Sequence, residues 1–458
     1  MDFSLISLLE EWNASVLGIA VPVMLFLLGG FYLFYLKAFY LRHPILVLRS
    51  MLSPSGKRST GKGYSSFRAV TLALAGTLGV GNLVGVASAI ALGGAGAVFW
   101  MMLSALLAML LKYAEIVLAL RHRPSAPSER LHGGAMYYIR ACLSSLRLPR
   151  LGGILASVFA ILCILDSFTM GCVIQMNAVG SAFRGSIGAS RTVVGSVLAV
   201  LVFLVTVGGG KRISALTERL VPLMTLIYLI ISIAVLVLRR EALPMALRSV
   251  WEDAFSVSAA VPGIGGFLMS KALRFGTFRG LMSNEAGCGT APIAHAEAEV
   301  RFPAEQGLWG IFEVFADTLL LCTLTASVIL VSYDRVSVFG HDGMLMTMKA
   351  YSVVLGEWSE GVMTLLVLFF AFATAICWAH YGRCAVAYLS RNVKFQYLYI
   401  ICYAVTAFLG TVSAPDSIFT VADFALGLMT LINLVVLFLM RGEVRDETEI
   451  FLKNARGK

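Results

Sequence analysis

This sequence predicts an all-α polytopic membrane protein of eleven transmembrane helices. Helices 2–6 and 7–11 are expected to form a five-plus-five inverted repeat, with helices 2 and 7 broken. Three observations carry that expectation. The 458 residues are 59% hydrophobic and 14% charged, with mean hydropathy +0.85, which is the composition of a chain whose helices face lipid. Apolar runs near the length of about 20 residues that hydrocarbon demands recur along the whole chain. Two of them, five spans apart, are interrupted by glycine.

The spans fall near 15–40, 66–92, 95–120, 151–183, 192–208, 218–238, 254–277, 308–332, 360–388, 395–411 and 417–440. Asp2, Glu10 and Glu11 precede the first, without a basic region, so the first helix is expected to be retained rather than cleaved as a signal peptide. With the segment 41–65 inside, 26 of the 36 Lys/Arg fall in the loops on that side, 271–307 among them, and 7 on the other. That asymmetry predicts the N-terminus outside and the C-terminus in the cytoplasm, and it explains the net charge of +10 without nucleic acid. The expected layout is one transmembrane domain over 1–458. An extra helix and loop fill 1–65, the first repeat 66–240, the second 241–440 and a tail 441–458. The eight cysteines show neither C-x-x-C spacing nor a matching set of histidines, so neither a disulfide framework nor a zinc site is expected.

Span 2 carries Gly76-Thr77-Leu78-Gly79-Val80-Gly81-Asn82-Leu83-Val84-Gly85. Val84 stands where a dinucleotide fingerprint needs its third glycine, which removes that reading. Irregular backbone at membrane depth persists only where protein buries it or a cavity adjoins it, which points to a site; Gly81 and Gly85 also form a G-x-x-x-G step, which points to close helix packing. A second interruption, Pro262-Gly263-Ile264-Gly265-Gly266, falls in span 7. With five spans per block the second block is inverted, so the two breaks occupy corresponding positions, where inverted-repeat transporters bind substrate.

Further along, Lys112 and Glu115 are three apart on span 3, and an ion pair between them near the cytoplasmic end is expected. On span 4, helical spacing puts Cys172 and Gln175 on one face and Asp166 about half a turn away; Asp166 is a functional candidate or a helix–helix hydrogen bond. Span 8 shows Glu313 and Asp317 one turn apart, with Thr318, Cys322 and Thr325 as a polar stripe. Thr374, Trp378 and Tyr381 share a face of span 9, and 339–356 reads as an external loop with an amphipathic helix. His295 lies in the basic stretch assigned to the cytoplasm, where a structural role is expected. No Ser/His/Asp or metal-ligand constellation falls on facing helices, so an enzyme is not expected; a channel or an amino-acid sensor is the alternative to a carrier.

The run Ala75 to Asn82, with Gly85-Val86-Ala87, Phe99-Trp100 and Lys112-Tyr113-Ala114-Glu115, resembles the alanine/glycine:cation symporter family, the sodium:alanine symporters. So does Arg279-Gly280-Leu281-Met282-Ser283-Asn284-Glu285-Ala286-Gly287-Cys288-Gly289-Thr290-Ala291-Pro292, followed by Gln306-Gly307-Leu308 and Asp317-Thr318. The resemblance implies a prokaryotic plasma-membrane carrier that imports alanine or glycine with sodium, with the fold of the neurotransmitter:sodium symporters, acting as a monomer and without an organic cofactor. Its partners are then a small amino acid and membrane lipid. Carried over by position, Gly81, Asn82, Gln175 and Trp378 are substrate-site residues, and Thr374 lies near sodium. The broken helices add physical assignments: amides around Gly81 to Leu83 take the carboxylate, while carbonyls near Gly76 to Gly79 and Gly263 to Gly266 take the ammonium and the sodium ion, with Gly265 counted as substrate-binding and Gly76 and Gly79 as sodium residues. Val80, Cys172 and Ala373 each lack a polar side chain that relatives carry, and Asp166 has no counterpart among them. An altered substrate and proton coupling through Asp166 therefore remain as alternatives.

Overall fold

The computed structural model describes residues 5–52, 63–124, 133–256, 270–332, 343–413 and 416–456. Among them, eight helices are long and apolar enough to cross a membrane: Leu5–Tyr35, Gly96–Arg121, Pro149–Ile187, Gly209–Leu238, Pro303–Val331, Trp358–Leu389, Val393–Val412 and Ser417–Leu439. Ser66–Thr77 and Val80–Gly93 make a further span bent by 57° at the expected glycines. Arg191–Val207 is a shorter apolar helix in the expected fifth position. The protein is an all-helical, multi-pass membrane protein.

The seventh span differs from its expectation. Gly265 and the rest of 262–266 lie outside the described residues. Leu243–Ala254 is a separate helix docked on the start of Gly96–Arg121, where Gly96 N–H donates to Asp253 Oδ2 at 2.7 Å and Trp100 Nε1 to the Ala254 carbonyl at 2.9 Å. The chain then forms Lys271–Asn284, unwinds, and closes with the short helix Pro292–His295. What reads as a cytoplasmic loop is a buried broken helix. Its polar residues mask it in hydropathy, because protein rather than lipid surrounds them: Arg279 pairs with Asp423 at 3.3 Å, and the Arg274 side chain packs beside Gly18 of the first span.

The two broken spans run antiparallel. A Cβ at Gly93, at the end of one, would sit 3.1 Å from the Lys271 carbonyl at the start of the other. At the opposite end Tyr64 N–H donates to the Glu297 carbonyl and Glu299 N–H to the Tyr64 carbonyl, both at 2.9 Å. Lys271 and Arg274 therefore lie at the far end of the bundle from Tyr64, not in a loop beside it.

Gly96–Arg121 is the central post. Its neighbours approach through glycine: a Cβ at Gly276 would lie 2.2 Å from the Ala97 carbonyl, and one at Gly310 would lie 2.3 Å from Ile116. Such contact replaces a hydrophobic driving force that lipid cannot supply. The post also carries buried charge, arranged otherwise than expected. Lys112 does not pair with Glu115; its Nζ lies 3.2 Å from Glu313 and donates to the Asn284 carbonyl at 2.8 Å. Glu115 instead accepts the Gly289 amide at 2.8 Å and the Asn433 side chain. Both residues sit at the level of the seventh-span break, where unwound backbone offers stronger partners than a residue on the same helix. Glu313 also bonds His295 at 2.9 Å, and His295 bonds Gln306 at 2.8 Å.

Removing one partner of a buried pair costs about 3–5 kcal/mol, because the other charge is left without compensation. Lys112→Met is expected to lower the melting temperature of the detergent-purified protein markedly, and Lys112→Met with Glu313→Gln to recover part of the loss. Thermal unfolding followed by size-exclusion chromatography checks both.

Candidate functional site

Thr77 to Leu83 contains the first break. Its exposed backbone groups are met by Asn82 of the break itself and by side chains from two other spans. Asn82 Oδ1 accepts the Gly79 amide at 3.1 Å, Gln175 Oε1 accepts the Val80 amide at 3.0 Å, and Thr374 donates to the Ala75 carbonyl at 2.9 Å. A one-turn 3-10 segment, Val80–Asn82, occupies the break: Asn82 N–H donates to Gly79 O and Leu83 N–H to Val80 O. These two amides are thus engaged, which corrects the expectation that all amides from Gly81 to Leu83 face a carboxylate. Thr347, on the helix Gly343–Leu355, donates to Leu83 O at 3.2 Å and ties the exit of the break to that connecting segment.

Asn82 then reaches the eighth span, where its Nδ2 donates to Asp317 Oδ1 at 2.6 Å. The other oxygen of Asp317 accepts Ser283 at 2.9 Å and Thr318 at 2.7 Å, and Asn284 donates to Thr318 at 3.1 Å. One buried carboxylate therefore joins the first break, the end of Lys271–Asn284 and the eighth span. Asp317 lies in a stretch of wide π-type turns, Phe315–Cys322, which swings the following polar side chains away from regular helical spacing. The second break follows directly. Glu285, Gly287 and Gly289 have φ of 52°, 92° and 80°, the left-handed region that glycine enters without penalty and glutamate does not. The Glu285 carboxylate is held by Thr290 at 2.6 Å and by Trp378 Nε1 at 3.0 Å, while Asn433 donates to the Gly287 carbonyl at 2.9 Å.

Of the residues singled out by sequence, Gly76, Gly79, Gly81, Asn82, Gln175, Thr374 and Trp378 all border these breaks. Their glycines divide into two kinds. A Cβ at Gly79 would lie 2.6 Å from Thr374 Oγ1, and one at Gly76 would lie 3.0 Å from the Tyr381 hydroxyl, so those two admit close neighbours. Among the described residues the nearest atom to a Cβ at Gly81 would be 3.6 Å away and none would lie within 4 Å at Gly85, so these two glycines are not tightly packed against any of them. Gly81 is partly exposed.

Cys172 and Gln175 do not share a face: Cys172 lies 3.8 Å from the Tyr403 carbonyl, whereas Gln175 points to the first break. The wide turn Thr169–Ile174 shifts the register that regular helical spacing assumes. Asp166 is fully buried, with Thr169 bonded to Oδ1 at 3.3 Å and, among the described residues, no hydrogen-bond partner for Oδ2. Sequence reasoning missed Glu285 and Ser283 as site residues, although the glycine spacing Gly287-Cys288-Gly289 carries the same signal as the first break. The polar surroundings hid it.

Residues 2–458 match the profile of the sodium:alanine symporter family. The sodium/alanine symporter AgcS of Methanococcus maripaludis is 33% identical over 456 residues, covering 98% of each chain. An "uncharacterized transporter" of Haemophilus influenzae is 37% identical over 408 residues, 87% of this chain and 86% of that one. Among solved structures, a mutant manganese transporter of Eremococcus coleocola superposes with TM-score 0.51 at 15% identity, over 81% of this chain and 78% of that one. That likeness is one of fold.

The two kinds of glycine predict opposite outcomes. Gly79→Ala is expected to lower thermal stability and Gly81→Ala to leave it nearly unchanged. Pairing Gly79→Ala with Thr374→Ala relieves the closest contact and is expected to restore part of the loss in the same melting assay.

Proposed function

The chain belongs to the sodium:alanine symporter family and is a carrier rather than an enzyme; from that premise we propose that it imports a small neutral amino acid, alanine or glycine, together with sodium by alternating access. The observation that carries this reading is the meeting of two antiparallel broken helices in a buried polar seam. An amino acid brings a carboxylate and an ammonium, and unwound backbone offers N–H groups to the one and carbonyls to the other. The substrate sits beside Gly81, Asn82, Gln175 and Trp378, and sodium beside Gly76, Gly79 and Thr374. Trp378 limits side-chain size: it is fully buried and backed by Gly171, whose Cβ would fall 2.4 Å from that of Trp378. The scaffold is eleven helices in a five-plus-five inverted repeat, in the plasma membrane of a prokaryote, with the N-terminus outside and the C-terminus in the cytoplasm. The antiparallel course of the broken spans supports the inversion.

A second reading rests on Asp166. It is a buried carboxylate inside the fourth span with one oxygen left without a hydrogen bond among the described residues, a place where a proton rather than sodium would couple transport. Uptake of labelled alanine into proteoliposomes, with sodium replaced by choline, separates the two. Sodium-dependent uptake is expected, with Thr374→Ala raising the sodium concentration needed for half-maximal rate. Unlabelled glycine and serine are expected to compete, and leucine and phenylalanine not to. Uptake indifferent to sodium and abolished by a protonophore overturns sodium coupling in favour of Asp166.

Asn82 bonds the first break with one end of its amide and Asp317 with the other. Losing a buried hydrogen bond costs about 1–3 kcal/mol, roughly five- to hundred-fold in affinity. Asn82→Ala is expected to raise the apparent substrate constant by that factor or to abolish uptake, while membrane insertion measured by immunoblot stays normal. Normal uptake by Asn82→Ala places the substrate elsewhere.

A further inference from the structure

Away from the seam, at the Tyr64 end of the bundle, Glu297, His380 and Cys384 bring one carboxylate oxygen, one imidazole nitrogen and one thiol sulfur within 4.8 Å of one another. His380 Nε2 lies 2.9 Å from Glu297 Oε1 and 3.8 Å from Cys384 Sγ. A tetrahedral zinc ion with bonds of about 2.0 Å to nitrogen and oxygen and about 2.3 Å to sulfur sets those ligands about 3.3 Å and 3.5 Å apart. The first separation is shorter than its ideal, the second is longer, and the Glu297 and Cys384 ligand atoms lie within 4.8 Å, so ion binding would draw the side chains into register. His380 and Cys384 stand four apart on Trp358–Leu389, on one helix face, and Glu297 comes from the segment just after the short helix Pro292–His295. No C-x-x-C spacing announces such a site, which is why the cysteine count argues against zinc and the fold argues for it.

We propose that Glu297, His380 and Cys384 form a binding site for a thiophilic divalent cation of the zinc class, with water as the fourth ligand. The donor set is one that zinc accepts, and a carboxylate, an imidazole and a thiol from two separate elements converge within 4.8 Å. The site spans two parts of the fold that carry the seam. Glu297 is fixed to the foot of the first broken span through the backbone bonds of Tyr64 and to the inner half of the second, while His380 lies one residue from Tyr381, whose hydroxyl is beside Gly76. A bound ion would clamp the broken helices to the ninth span at this end. If transport requires these elements to separate, as the carrier reading above holds, the ion is an inhibitor acting from this side of the membrane.

The test titrates the purified full-length protein with cobalt(II) and zinc. Cobalt is expected to give the intense thiolate-to-metal absorption of a sulfur-ligated tetrahedral ion, with one equivalent bound and displaced by zinc. Cys384→Ser is expected to abolish the thiolate band, and His380→Gln to weaken binding at least tenfold while retaining the thiol. Absence of the band in wild type, or a band unchanged in both variants, overturns the site. A melting temperature for each variant without metal separates loss of the site from loss of the fold. In proteoliposomes, zinc is expected to slow uptake in wild type and not in Cys384→Ser. Cobalt binding without inhibition keeps the site and removes the clamp, and because the spectroscopic reading needs no transport, failure of the carrier proposal leaves it intact.

Discussion

Two stretches of unwound backbone lie side by side in the middle of the bundle, and each amide and carbonyl they release must find a partner away from water. That constraint organises the protein. An unpaired peptide group in an apolar setting costs several kcal/mol, so a break survives only if other spans deliver polar side chains to it. Gln175 and Thr374 do so for the first break, with Asn82 of the break itself adding a local bond, and Glu115 and Asn433 do so for the second. Asp317 joins the two.

The same groups that hold the breaks open are those a transported amino acid and ion would meet. Gln175 spends its hydrogen bonds on backbone in this structure, and Asn82 divides its own between backbone and Asp317. Binding therefore exchanges protein–protein bonds for protein–ligand bonds, and the breaks can change shape as the partners change. Lys112 and Glu313 supply the opposite quality. Fully buried and linked through His295 to Gln306, they fix the third and eighth spans to the end of Lys271–Asn284. A mobile seam thus adjoins a rigid post.

Val80 and Cys172 bear on the structure through their neighbours. Val80 contributes its amide, not its side chain, to the bond with Gln175, so this bond needs no polar side chain at that position. Cys172 faces Tyr403 on the tenth span rather than the break, so its side chain bears on helix packing.

The sequence by itself determined the membrane class, the order and approximate limits of most spans, and the first break, because hydropathy and glycine spacing are local properties of a helix that must cross lipid. Asn82, Gln175, Thr374 and Trp378 stand out in their motifs, and all four border the breaks. Only the tertiary structure decided the seventh span, since Lys271, Arg274, Arg279 and Glu285 look like loop residues until burial against other helices is known. It also decided which partner each charge takes. Lys112 reaches Glu313 instead of Glu115, Asp317 reaches Asn82 and Ser283, and Glu297 meets His380 and Cys384 across more than eighty positions of chain. Such pairings depend on how spans distant in sequence are turned toward one another, and the wide turns at Thr169–Ile174 and Phe315–Cys322 rotate those faces away from where a regular helix would set them.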